Sequence, residues 1–226
     1  MNALRTLSVI FFLGIILGIF IGIAFQSDLF YSFARWRSQG VMEKGFPFIM
    51  LNNIIVIALT LFGGILFSLF EIKSYERFPS RLYSFLDWLT IPLHKIFAIF
   101  DRRITSMEKP MKSCYFISRS FPLMVLFFNA FLLANLLFYV YIARGTIQNL
   151  GSIILIAFIE FFSIAVAALL AYEFTGRNLS LYEENDIDHF RIESRRFLYS
   201  GKNWAVFVFL SIILLASAYL EYSLIK

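Results

Sequence analysis

Charge is what this chain most lacks. Only 15% of its 226 residues are Asp, Glu, Lys or Arg, whereas soluble domains carry about 25%, so the chain has too little polar surface for a water-facing fold. Cysteine is nearly absent, and the single Cys114 excludes an internal disulfide. Histidine occurs twice, which thins the usual general acid–base repertoire. No G-x-S-x-G, H-E-x-x-H or G-x-x-x-x-G-K-[ST] occurs, so no catalytic residue and no nucleotide-cradling loop is assigned. The net charge of +5 comes without basic–aromatic interleaving, which argues against a nucleic-acid partner. These absences point to a non-enzyme without cofactor or metal.

Apolar side chains are abundant: 60% of the residues, 29 of them Phe, with mean hydropathy +0.77. A transmembrane helix needs ~20 mostly apolar residues to cross a ~30 Å hydrocarbon core. Five segments meet that length: 7–25, 46–72, 121–143, 152–174 and 204–222. Barrel strands would be about half as long and alternate in polarity. The expectation is an all-α, polytopic transmembrane bundle of about five spans, one integral membrane domain over 1–226. The first apolar run exceeds the 7–15 residues of a signal-peptide core, and no A-x-A-like site follows it, so it reads as a retained anchor.

Five spans place the N-terminus and the second and fourth loops on one side. Fifteen of the twenty Lys and Arg fall there, and only Arg35, Arg37, Lys44, Arg144 and Lys226 fall on the other. The positive-inside bias makes the fifteen-residue side cytoplasmic and the C-terminus external. Cys114, within the second loop, is then cytosolic.

The second loop, 73–120, reads as a helical insert. Leu82, Phe85, Leu86, Leu89, Leu93, Ile96, Phe97 and Phe100 recur at three- and four-residue steps, while Asp87, His94 and Lys95 fall off that stripe. The pattern suits a helix in the membrane interface, with docking on a cytoplasmic partner as the alternative. The segment "SDLFYSFARWRSQG" has similar character, with Tyr31 and Trp36 suited to the outer headgroup level. In the fourth loop, Asp186, Asp188, His189 and Glu193 are a metal-ligand alternative, but their spacing matches no defined loop and a solvated charge run is preferred.

Apolar helices gain little by touching in lipid, so packing relies on small residues and hydrogen bonds. Gly14, Gly18 and Gly22 form a small-xxx-small stripe in the first span, and Gly63 and Gly64 close the polar stretch of the second. Asn53, Thr60 and Gly64 lie within about 20° of one helical face. Asn52, Asn53, Asn129 and Asn135 read as interhelical hydrogen-bonding groups, with a polar pathway as the alternative. Glu160 stands out because it can ionise. It lies eight residues after Ser152, ~12 Å along a helix, where a charge costs about 2.5–3.5 kcal/mol on insertion scales. Ser163, Ala167 and Ala171 share its face, so the carboxyl points at a neighbouring helix. As a neutral acid it can donate to an Asn of another span.

The order of these motifs resembles the stage II sporulation protein M family: a glycine-rich first span, "NN" opening the second and "GG" near its end, "FNAFLLAN", an internal Glu, and a final "ASAYLEY". Two departures stand beside it. "LIAFIE" keeps Glu160 but lacks the family's Pro-His-Gly, and the insert 73–120 and Ala130 replace a short connection and a Gly. The resemblance implies a polytopic helical protein that partners cell-wall hydrolases in the envelope. The expectation is therefore a non-catalytic membrane scaffold or complex subunit, in contact with the bilayer, with other membrane or cytoplasmic proteins, or with further copies of itself. The alternative is a permease-like subunit driven by a separate cytoplasmic ATPase.

Overall fold

The structure is a computed structural model, and it describes residues 3–25, 45–77, 91–99, 101–144 and 150–225. Among them every regular element is helical. Helix α1 spans Ala3–Phe25, and α2 spans Phe46–Ala58. A π-helical turn, Leu59–Gly63, joins α2 to α3, Gly64–Arg77. Residues 91–99 form α4, followed by a 3-10 turn at Arg102–Thr105. Then come α5, Met111–Arg144, and α6, Leu150–Arg177. The short α7, Leu179–Glu183, and α8, Ile187–Tyr199, lead into α9, Gly201–Ile225.

Four helical stretches are long and apolar enough to cross a membrane: Phe46–Arg77, Met111–Ala134, Ile154–Arg177 and Gly201–Leu220. In α1 the apolar described stretch, Arg5–Ile21, is shorter. All five expected spans are thus helical, and four of them reach spanning length within the described residues. Their outward faces are apolar: Phe12, Ile16, Phe20, Phe70, Phe158 and Phe209 are all at least 60% exposed. In water such a surface would drive association, but against lipid it needs no cover.

Local chemistry sets the element ends. Gly45 precedes α2 at φ 68°, a conformation in which a Cβ is strained, and Pro47 stands in the first turn, where its missing N–H is no loss. At the α8–α9 corner, Asn203 Nδ2 donates to Phe197 O (2.9 Å), which also accepts from Ser200 N, and Trp204 Nε1 donates to Leu198 O (2.7 Å), a carbonyl of the last turn of α8.

Helix α1 lies along α5 and α6, α2 packs on α9 and α6, and α3 packs on α5. One core, at the end where α3 and α6 finish, joins Ile65, Ile72, Met111, Tyr115, Phe174 and Phe190. Another joins Ile57, Leu61, Phe62, Ala167, Leu210 and Leu214 across α2, the π-turn, α6 and α9.

The insert is shorter than the sequence reading places it. Helix α5 begins at Met111, not near 121, and it takes in Cys114 and Arg119. Lys112 and Arg119 depress the hydropathy of this stretch. Met111, Cys114, Tyr115 and Ser118 nonetheless recur at helical spacing and are all buried. Cys114 therefore sits inside a helix–helix contact, away from any loop surface.

Helix α4 also turns differently from the apolar-stripe reading. His94 is buried, edge-on to Phe116 at 5.0 Å, and Phe97 packs on Phe116 at 5.3 Å. Leu93, Ile96 and Ile99 face outward at 50%, 56% and 77% exposure. An edge-to-face arrangement of two rings is a favourable aromatic contact, and it lets His94 occupy the inner position. The residues 82–89 and Phe100 of that stripe, and the segment with Tyr31 and Trp36, lie outside the described residues.

Candidate intramembrane polar site

Helices α2, α5, α6 and α9 leave a cavity of about 30 Å³ between them. Asn52, Asn53, Asn129 and Glu160 line it, closed by Ile164 and Leu214. Each polar residue projects from the middle of an apolar helix, so its partner must come from another helix or its own backbone. Asn53 Nδ2 donates to Glu160 Oε1 at 2.6 Å, linking α2 to α6. Asn52 Nδ2 lies 3.5 Å from Asn53 Oδ1, a long contact on the other end of the Asn53 amide. Asn129 Nδ2 donates to Val125 O of its own helix at 2.8 Å. Asn53 is buried and Asn52 exposed, so the cluster runs from the surface of α2 inward.

Glu160 is partly buried, and the residues after it on its face, Ser163, Ala167 and Ala171, are fully enclosed. Ser163 Oγ donates back to Ile159 O (2.9 Å), leaving no hydroxyl directed at lipid. The cavity has room for one or two water molecules. Sites for small organic ligands run to ~300–1,000 Å³, well above this volume. Asn135 lies on α5, and its side chain is outside the described residues.

The glycines take up different positions. A Cβ on Gly14 would meet Phe127 O at 2.8 Å and Ala130 Cβ at 2.9 Å, so α1 touches the backbone of α5 there. A Cβ on Gly63 would meet the Phe121 ring at 2.6 Å, and one on Gly64 would meet Ser118 Cα at 3.3 Å. Gly18 is buried, whereas the surroundings of Gly22 lie outside the described residues.

Beside Gly64 lies a seam that the sequence reading missed. Ser68 Oγ donates to Gly64 O (2.8 Å), contacts Ser118 Oγ (2.7 Å) and lies 3.1 Å from Cys114 O. Cys114 Sγ returns a weak bond to Ser68 O (3.4 Å). Small residues four apart on both helices, Gly64 with Ser68 and Cys114 with Ser118, let the backbones approach.

The acidic cluster of the fourth loop does not converge. Asp186 caps α8, accepting from His189 N (3.0 Å) and meeting its Nδ1 (2.6 Å). The His189 hydrogen bonds hold the Asp186 carboxyl below its ordinary value. Asp188 faces Arg191 at 3.6 Å and Glu193 pairs with Arg196 at 2.5 Å. Among the described residues, no three His, Cys, Asp or Glu gather as metal ligands.

Compared with known proteins, the chain matches no family profile, no curated protein and no solved structure.

Proposed function

We propose that this chain is a non-catalytic, multi-pass subunit of the cell membrane that scaffolds other envelope proteins, in the manner its resemblance to the stage II sporulation protein M family suggests. The observation that carries this reading is the Asn53–Glu160 hydrogen bond inside a cavity of about 30 Å³. It favours the intramembrane polar groups as fasteners of one helix arrangement over walls of a path. The basic end of the bundle faces the cytoplasm in this reading, and it offers α7 and α8 to partners. Cross-linking in native membranes, followed by purification and mass spectrometry, tests it. Recovery of envelope proteins such as wall hydrolases supports the scaffold, and recovery of the chain with no protein partner refutes it.

A permease-like role beside a separate ATPase draws support from one feature: an ionisable carboxylate in a cavity that reaches the exposed Asn52. Glu160→Gln separates the two readings. Under the scaffold reading the variant keeps its fold and complements a deletion strain. Under the permease reading it folds and fails to complement, and the co-purified partner carries a P-loop.

A further inference from the structure

A second, larger cavity of about 270 Å³ opens at the end of the bundle where α1 and α5 begin and α6 ends. Its polar wall is Asp101, Arg102, Arg103 and Arg119. Phe97 from α4, Leu123 from α5 and Tyr172 from α6 form the apolar wall, and Thr6 of α1 borders it. The carboxylate of Asp101 is fully engaged. It accepts from Tyr115 Oη at 2.5 Å, from Arg103 N at 3.3 Å and from Arg119 Nε at 3.1 Å. Arg119 is held further by the Tyr172 ring, 4.2 Å from its guanidinium carbon. It is only 13% exposed, a fixed charge at the cavity wall. Arg102 and Arg103 are exposed and pair with no carboxylate among the described residues. Three guanidiniums against one carboxylate leave the cavity two positive charges in excess.

We propose that this cavity binds the phosphate of an anionic glycerophospholipid. Planar guanidinium forks match phosphate oxygens with paired hydrogen bonds, and basic pockets between spans at the membrane surface suit lipid headgroups. The volume is just below the ~300–1,000 Å³ of small-molecule sites, which suits a headgroup whose acyl chains stay outside. Exposed Leu93, one turn before the cavity-lining Phe97 on α4, offers those chains an apolar flank. The lipid assignment rests on the membrane reading of the bundle. It does not depend on the scaffold role or on Glu160.

The test titrates the purified full-length protein in neutral detergent with dioleoylphosphatidylglycerol, and counts bound lipid by native mass spectrometry. Arg102→Gln with Arg103→Gln removes the two unpaired charges and leaves the Arg119–Asp101 pair in place. A control, Arg195→Gln with Lys202→Gln, removes the same charge from exposed positions on α8 and α9. The expected result is one saturable lipid, affinity roughly thirtyfold lower in the Arg102/Arg103 variant, and an unchanged control. Dioleoylphosphatidylcholine should not substitute, and orthophosphate should not compete. Equal affinity in the wild type and the Arg102/Arg103 variant, or equal loss in the control, overturns the site. Saturable competition by orthophosphate overturns the lipid and makes the occupant a soluble phosphate.

Discussion

Gly14→Ala measures how closely α1 is seated on α5. The added methyl would stand 2.8 Å from Phe127 O and 2.9 Å from Ala130 Cβ. A carbonyl oxygen and a Cβ have no rotamer to escape into, so the helices must separate by a few tenths of an ångström or more. Such overpacking costs about 1–3 kcal/mol. Against it stands the helix-propensity gain of Gly→Ala, about 1 kcal/mol. Gly176→Ala isolates that gain, because nothing lies within 4 Å of the corresponding Cβ. The two variants should therefore differ by about 1–3 kcal/mol in unfolding free energy, with Gly176→Ala the more stable. Unfolding in mixed micelles by rising dodecyl sulfate fraction gives both values. Equal stability, or a more stable Gly14→Ala, refutes direct backbone contact between α1 and α5.

Three further outcomes follow from the basic end of the bundle. Cys114 is buried between α3 and α5, so a membrane-impermeant maleimide should leave it unlabelled in both intact cells and inverted vesicles until denaturant is added. In a Cys114→Ser background, Glu184→Cys, exposed beyond α7, should label in inverted vesicles only; labelling in intact cells reverses the proposed orientation. Asp186 caps α8 with a carboxyl held below its ordinary value, so its contribution is complete above the usual carboxylate range and is lost as pH falls through the lowered value. The protection factor of the His189 amide, its exchange normalised to the intrinsic rate at each pH, should fall in acid, and Asp186→Ala should abolish that fall; a fall that survives in the variant excludes Asp186 as its source.

Some of this was legible in the sequence because lipid leaves few options. Long apolar runs had to become helices, since no other open structure satisfies its backbone there. A carboxyl eight residues into such a run needed a partner, and the amides of α2 were among the few candidates. The choice of Asn53 over Asn129 was not readable. Both lie in apolar spans, and only the packing of α2 on α6 brings one of them to 2.6 Å. The Ser68–Cys114–Ser118 seam was hidden for another reason. Lys112 and Arg119 lower the hydropathy of the start of α5, and Asp101 and Tyr172 make Arg119 tolerable there from distant parts of the chain. The small-xxx-small spacing of Cys114 and Ser118 was the available signal. The π-turn at Leu59–Gly63 depends on one widened backbone ring, which residue spacing does not encode.

Glu160 fastens α6 to α2 through Asn53. A double-mutant cycle in mixed micelles, with Asn53→Ala, Glu160→Ala and the pair, tests it most directly. Hydrogen bonds between membrane helices couple by about 0.6 kcal/mol on average and up to ~1.7. The 2.6 Å contact predicts coupling in that range, with the second substitution destabilising less once the first is in place. Strictly additive losses would contradict the account, because the two side chains would then act independently.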